Sequence, residues 1–288
     1  MKSQFRNRAE ALIIAASFFF VAMAACIKEV SGRMPVYETV FFRAFVSAVI
    51  LGGLMKARRT GFRAKNLPLM LTRSLSGFAA MSCNFYALGK LSFGDACTLV
   101  NTFPVFAALF SFLFLGERPT KALWVLIALS WAGIFMILRP QFHFLNFAGF
   151  VALLAAIFSA VVIVVIHQTH ETDPSLRIAF YFTALCAFIA FPLMMQDFVP
   201  PDAREWALLL GAGILGTGGQ ILMTRAYGLS DVSRLAPLSY VAVVLSFVAG
   251  MIFWGEIPTP WSVAGSAVVI LGCVLIARLE KQPPVAAD

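Results

Sequence analysis

The chain has 288 residues, of which 60 % are apolar and only 12 % are charged, and its mean hydropathy is +0.87. Soluble domains are about half apolar and about a quarter charged, so this composition excludes a water-soluble globular fold. The net charge of +8 does not indicate a nucleic-acid partner, because the cytoplasmic loops of membrane proteins carry an excess of Lys and Arg.

Apolar segments of membrane-spanning length, about 20 residues each, follow one another along the whole chain. They lie at 10–28, 36–55, 67–88, 95–115, 120–138, 147–166, 176–195, 205–225, 234–254 and 260–277. The connections are mostly short, so neighbouring helices are expected to be antiparallel. The sequence therefore predicts an all-α membrane protein with ten transmembrane helices, surrounded by the lipid bilayer.

The two halves of the chain resemble each other at a constant offset of 139 residues, which pairs Gly77 with Gly216. At the same offset the motif Phe-x-Gly-Glu-x-Pro at 114–119 meets its copy at 253–258. We predict two five-helix repeats, at 1–138 and 139–288, with a short cytoplasmic tail after the second. Because each repeat has an odd number of helices, the second is expected to be inverted. Secondary transporters often follow this plan, with the substrate site between the halves.

The distribution of Lys and Arg over the loops predicts the orientation in the membrane. With the N-terminus in the cytoplasm, most of the basic loop residues also face the cytoplasm, and their largest group lies at 56–65. We therefore predict a multi-pass protein of a bacterial inner membrane with both termini cytoplasmic. Glu117 is then expected on the cytoplasmic side and Glu256 on the periplasmic side.

Two short motifs favour a structural explanation over a chemical one. The segment 211–216 matches the GxGxxG pattern of dinucleotide-binding folds, but it lies inside an apolar span, where small residues let helices pack closely. His167-x-x-His170 has the spacing of half a metal site, but it lies in a polar segment that we interpret as solvated. The chain has no CxxC pair and no hydrolase or nucleotide-binding motif. We expect no enzyme, no catalytic residue, no cofactor and no metal site.

Polar side chains inside the spans are costly unless they pair or face water, and they are therefore the candidate site residues. Three of them are arginines: Arg43, Arg73 and Arg225. Arg73 and Arg225 lie near predicted span ends and could reach the headgroups. Arg43 lies deeper, where it pairs with Glu38, has another structural role, or faces a cavity. Arginines in a cavity favour an anionic or zwitterionic substrate, because guanidinium binds carboxylate or phosphate bidentately.

Uncharged polar residues accompany these arginines in several spans. The candidates are Asn84, Asn101, Tyr181, Gln220 and Tyr240. For each one, a bond between helices is as strong an alternative as contact with substrate. As a set, they predict a polar cavity between spans 3, 4, 8 and 9. No Asp or Glu lies deep within a span, which weakens a proton-coupled mechanism without excluding it.

Several segments resemble a known family. They are Phe85-Tyr-Ala-Leu, Pro104-Val-Phe-Ala-Ala, Leu115-Gly-Glu-Arg118, Thr224-Arg-Ala-Tyr227 and Trp254-Gly-Glu-Ile-Pro258. The chain resembles the EamA type of the drug/metabolite transporter superfamily over nearly its whole length. The resemblance implies a ten-helix carrier with inverted five-helix repeats. It is strongest to the branch that includes S-adenosylmethionine uptake carriers and amino-acid exporters.

These observations together predict a secondary membrane transporter. Its expected substrate is a small polar metabolite, anionic or zwitterionic, such as an amino acid or a nucleoside derivative, which crosses the inner membrane by alternating access. The alternative is a membrane scaffold or accessory subunit that transports nothing. A monomer and a homodimer are both compatible with the sequence, as are import and export.

Overall fold

The computed structural model describes residues 2–106, 110, 121–138, 147–170, 172–229 and 235–279. Most of these residues are helical, and none of them lies in a β-strand. The helices are α1 (Lys2–Val30), α2 (Val36–Ala57), α3 (Leu67–Lys90), α4 (Phe93–Val100), α5 (Lys121–Leu138), α6 (Phe147–Thr169), α7 (Ser175–Met194), α8 (Ala203–Leu229), a 3-10 helix (Ala236–Tyr240), α9 (Val241–Trp254) and α10 (Pro260–Leu279). After a turn at Asn101 and Thr102, residues 103–106 are again helical. Glu117 lies outside the described residues.

The fold is that of an all-α membrane protein with ten transmembrane helices. Within the described part of the chain, five segments are long and apolar enough to cross a bilayer: Arg8–Val30, Val36–Ala57, Phe147–Ile166, Ser175–Met194 and Ala203–Leu229. Three shorter apolar stretches are Ala128–Ile137, Leu238–Trp254 and Pro260–Gly272. A bilayer favours this solution, because a helix satisfies its own backbone hydrogen bonds.

Local sequence signals set several helix ends. Pro35 and Pro174 stand directly before α2 and α7, at equivalent positions of the two repeats, because proline is tolerated where a helix begins. Ser92 caps α4, and its side chain accepts a hydrogen bond from the Asp95 N–H at 3.3 Å. Gly255 ends α9 with φ +62°, a left-handed conformation that favours glycine.

The two repeats are inverted relative to each other, as the contacts between α2 and α7 demonstrate. Phe41, early in α2, packs against Phe191, late in α7, with ring centroids 5.6 Å apart. Gly52, late in α2, lies against the ring of Phe180, early in α7. Equivalent helices of the two repeats therefore run antiparallel. The helices α5 and α10 repeat this arrangement, since Gly133 faces Gly265 while Gly272 faces Ser130.

Each repeat also reaches across to the other. The helix α1 packs along α8, and its repeat counterpart α6 packs along α3. The glycines of α8 make this possible: a Cβ atom at Gly218 would lie 2.8 Å from the ring of Phe19, and one at Gly219 would lie 2.9 Å from the ring of Phe20. This contact supports helix packing as the reason for the glycine-rich segment that begins at Gly211.

Candidate functional site

A cavity of about 230 Å³ lies between the repeats. Its wall comes from α1, α2, α3 and α4 of the first repeat and from α6, α7, α8, the 3-10 helix and α9 of the second. Five of the eight candidate residues line it: Arg43, Arg73, Asn84, Asn101 and Gln220. Spans 3, 4, 8 and 9 each contribute residues to the wall, and α1 adds further, mostly apolar ones.

The guanidinium group of Arg43 is buried beside this cavity, with only 2 % of the residue exposed. Its Nη2 donates one long hydrogen bond to the carbonyl oxygen of Gly216, at 3.5 Å. Its Nε and Nη1 have no hydrogen-bond partner among the described residues. The alternative pairing with Glu38 is wrong, because Glu38 accepts a hydrogen bond from the Val199 N–H instead, at 3.1 Å.

Arg73 is buried even more completely, with 1 % exposed, which rules out the alternative that it reaches the headgroups. Its guanidinium carbon lies 3.9 Å from the ring centroid of Phe182, and that of Arg43 lies 5.6 Å from the same centroid. In the part of the chain that the structure describes, Arg73 Nε and Nη1 also lack an acceptor. A cation–π contact is worth about 2 kcal/mol when desolvated, but a ring does not replace a carboxylate as hydrogen-bond acceptor.

Two glycines make room for this cluster of Arg43, Arg73 and Phe182, which we call the arginine–phenylalanine cluster. A Cβ atom at Gly77 would lie 2.6 Å from the Phe182 ring, and one at Gly216 would lie 2.8 Å from Arg43 Nε. The two glycines are repeat equivalents, and so are Arg43 and Phe182, each pair 139 positions apart. The cluster therefore surrounds the pseudo-two-fold axis between the repeats.

The uncharged polar groups of the wall are partly satisfied within their own helices. Asn101 Nδ2 donates to the carbonyl oxygen of Cys97 at 2.8 Å, and Gln220 Nε2 donates to Thr224 Oγ1 at 3.3 Å. Asn84 is half-buried at the cavity wall. These three side-chain amides add uncharged hydrogen-bonding groups to the cavity that the two arginines line.

Three candidates lie away from the cavity wall. The hydroxyl of Tyr181 donates to the carbonyl oxygen of Phe62 at 3.0 Å, in the loop after α2. The side chain of Arg225 is exposed on α8. Tyr240 is buried at the end of the 3-10 helix and is not one of the lining residues. The face that a helix turns to its neighbours is set by tertiary packing, which a count of polar residues in a span does not capture.

Sequence reasoning missed Phe182 and Tyr227, both of which line the cavity. One phenylalanine attracts no notice among the 29 of this chain. The offset of 139 was the available signal, because it assigns position 182 the same place in the second repeat that Arg43 has in the first.

A partly buried ionic contact lies at the end of the molecule where α1 ends, and we call it the Lys28–Glu256 bridge. Lys28 Nζ lies 2.8 Å from Glu256 Oε1 and donates to the Leu91 carbonyl oxygen at 2.9 Å. Glu256 Oε2 accepts the Phe93 N–H at 2.6 Å, which places a carboxylate at the N-terminus of α4. The bridge joins the first helix, the α3–α4 turn and the α9–α10 loop.

The opposite end of the molecule is held by a second carboxylate, Asp173. It pairs with Arg177 at 2.6 Å and accepts N–H bonds from Lys65 and Asn66, so that it joins the α2–α3 and α6–α7 loops. Burial raises the pKa of the Asp173 carboxyl, but the bonds from Arg177 and the backbone outweigh burial and hold the pKa below its usual value. The carboxylate is therefore ionised at neutral pH.

Comparisons with known proteins agree with this architecture. The EamA-like transporter family matches residues 7–139 and 146–278, one match to each repeat. The pseudopaline exporter CntI of Pseudomonas aeruginosa is 34 % identical over 273 residues, which cover 94 % of this chain and 96 % of that protein. The S-adenosylmethionine uptake transporter of Rickettsia prowazekii is 24 % identical, over 88 % of this chain and 87 % of that protein.

The fold also matches a solved crystal structure with a TM-score of 0.69. That match covers 95 % of this chain and 99 % of the other, at 20 % sequence identity. At this identity the likeness concerns the fold alone.

Proposed function

Because the chain belongs to the EamA-like transporter family of the drug/metabolite transporter superfamily, we propose that it carries a small anionic or zwitterionic organic metabolite across a bacterial inner membrane by alternating access. The observation that carries the proposal is the pair of buried guanidinium groups, Arg43 and Arg73, beside a cavity between inverted repeats. Asn84, Asn101 and Gln220 are proposed to bind the polar parts of the same substrate.

The charge of the cavity supports an anionic group on the substrate. The described residues that line it include two arginines and neither Asp nor Glu. A buried cation without a partner is costly, and a guanidinium regains most of that cost by binding a carboxylate or phosphate. A substrate that brings such a group is therefore bound more tightly than a neutral analogue of the same shape.

The Lys28–Glu256 bridge supports alternating access. It ties α1 of the first repeat to the end of α9 in the second, at what we propose to be the periplasmic end. If the repeats rock about the central site, these contacts break when the cavity opens towards that end. The repeat motif supplies Glu117 for the equivalent position at the other end.

The relatives named above leave the direction of transport open for this chain. One is named as an exporter and another as an uptake transporter. Both names agree with a carrier and argue against the scaffold alternative.

Purified full-length protein in liposomes tests the proposal. We expect saturable flux of at least one radiolabelled amino acid, dicarboxylate or nucleoside derivative, above that of empty vesicles. Arg73→Gln should remove this flux, whereas Lys56→Gln, which changes an exposed cation at the end of α2, should not. A lack of flux for every compound, together with a lack of thermal stabilisation by any of them, would favour the scaffold alternative.

A further inference from the structure

The arginine–phenylalanine cluster contains more positive charge than one carboxylate can neutralise. Arg43 and Arg73 come from different helices, α2 and α3, and both are almost completely buried. Each has two nitrogen atoms without an acceptor in the described part of the chain. Among the described residues, the one hydrogen bond that either guanidinium makes is the long one from Arg43 to the Gly216 carbonyl oxygen, at 3.5 Å.

No carboxylate of the described lining residues offsets either cation. A substrate with one carboxylate would bring a single negative charge to two buried cations, even if its two oxygens accepted hydrogen bonds from both. A substrate with two anionic groups would satisfy both, and would also remove the repulsion between the two cations. Two charges on the substrate therefore match the site better than one.

The position of Phe182 favours two separate groups over a single compact dianion. Its ring centroid lies 3.9 Å from the guanidinium carbon of Arg73 and 5.6 Å from that of Arg43. The ring thus lies against both cations and takes up part of the space around each. Its face attracts cations but accepts no strong hydrogen bond, so the N–H groups still require oxygen acceptors from elsewhere.

We propose that the substrate carries at least two carboxylates, one bound by Arg43 and the other by Arg73. This proposal rests on the proposed function and narrows its substrate class to short polycarboxylates. Both charges belong to the first repeat, whereas the second repeat supplies the ring and the Gln220 amide. The two carboxylates therefore bind on the first-repeat side, and the uncharged part of the substrate extends towards α8.

A series of ligands of increasing charge tests the proposal on the purified full-length protein. Thermal unfolding is followed with butyrate, glutarate and tricarballylate, which carry one, two and three carboxylates, at equal ionic strength and neutral pH. We expect glutarate or tricarballylate to bind at least about tenfold more tightly than butyrate, as an additional charge-assisted hydrogen-bonded pair predicts. Methyl phosphate, a dianion in one group, should bind more weakly than the better of the two polycarboxylates.

Variants then test whether each arginine binds one carboxylate of the substrate. Arg43→Gln and Arg73→Gln should each reduce the affinity for the polycarboxylate to about that for butyrate, while Lys56→Gln leaves the difference unchanged. If the Gln variants do not fold, Arg43→Lys and Arg73→Lys keep the charge and lose the planar fork, and should reduce the polycarboxylate preference in part. Size-exclusion chromatography in detergent checks the folding of each variant.

The outcomes separate this proposal from the proposed function. Equal binding of butyrate and both polycarboxylates, or tighter binding of methyl phosphate, overturns the two-carboxylate substrate. If an amino acid with one carboxylate is then bound and transported, the carrier function stands without it. If no anion binds and none is transported, both proposals fall.

Discussion

Position 43 of the first repeat and position 182 of the second are equivalent, yet one is an arginine and the other a phenylalanine. Both face a glycine of the opposite repeat: Arg43 lies against Gly216, and Phe182 lies against Gly77. The glycines preserve the close packing of the inverted halves. The difference between the two side chains places charge on one side of the axis only. Shared small residues thus maintain the fold, while unequal residues at the same place define what the cavity binds.

The substitution Arg43→Phe makes the two repeats alike at this position. Arg43→Phe should weaken substrate binding and transport by about 10- to 100-fold, because it removes a charge-assisted interaction worth about 1.5–3 kcal/mol. The protein should still fold, since Gly216 leaves the same space for a ring at position 43 that Gly77 leaves at position 182. Flux in liposomes measures the loss, and Lys56→Gln serves as the control. Unchanged flux would show that Arg43 does not bind the substrate.

A methyl group added at Gly77 or Gly216 would fill the space that the glycine leaves for the side chain of the opposite repeat. Gly77→Ala and Gly216→Ala should each destabilise the protein by about 1–3 kcal/mol, because the new methyl group would overlap Phe182 or Arg43. Gly53→Ala is the matched control: it lies in α2, has no atom within 4 Å of the new Cβ, and should be neutral or slightly stabilising. Thermal unfolding in detergent compares the three. Equal effects at all three positions would contradict tight packing around the cluster.

The sequence predicted the fold better than the site, for a physical reason. Hydropathy is a local property, so the segment 176–195 was recognised and α7 is observed at Ser175–Met194. The direction that a side chain takes around a helix depends on neighbouring helices. Tyr181 was chosen because it is polar and in fact contacts the loop after α2, whereas the adjacent Phe182 faces the cavity. The sequence drew attention to Arg43 and Arg73 because a charged side chain inside a span is costly whichever way it faces.

The Lys28–Glu256 bridge joins helices of both repeats at one end of the molecule, and its removal tests whether that end acts as a gate. Lys28→Met should favour opening of that end by about fivefold, because it removes a largely buried ion pair worth about 1 kcal/mol. A membrane-impermeant maleimide should then label Cys97, which lines the cavity, several times faster. Arg204→Gln removes a more exposed ion pair with Glu29 at the same end and should leave the labelling rate unchanged. Slower labelling in Lys28→Met would contradict a gate at this position.

The smallest effect is expected at the opposite end, where Asp173 joins two loops. Its pKa is lowered in the folded protein, so its contribution is present above the unfolded pKa of about 3.9 and is lost as the pH falls through the folded value. Asp173→Asn should therefore cost about 1 kcal/mol at neutral pH, and the difference from the unmodified protein should shrink only below about pH 4. Asp197→Asn, at an exposed position after α7, should show no such difference in thermal unfolding at either pH. A difference that persisted unchanged at pH 3 would mean that the Asp173 carboxylate is not what holds the α2–α3 and α6–α7 loops together.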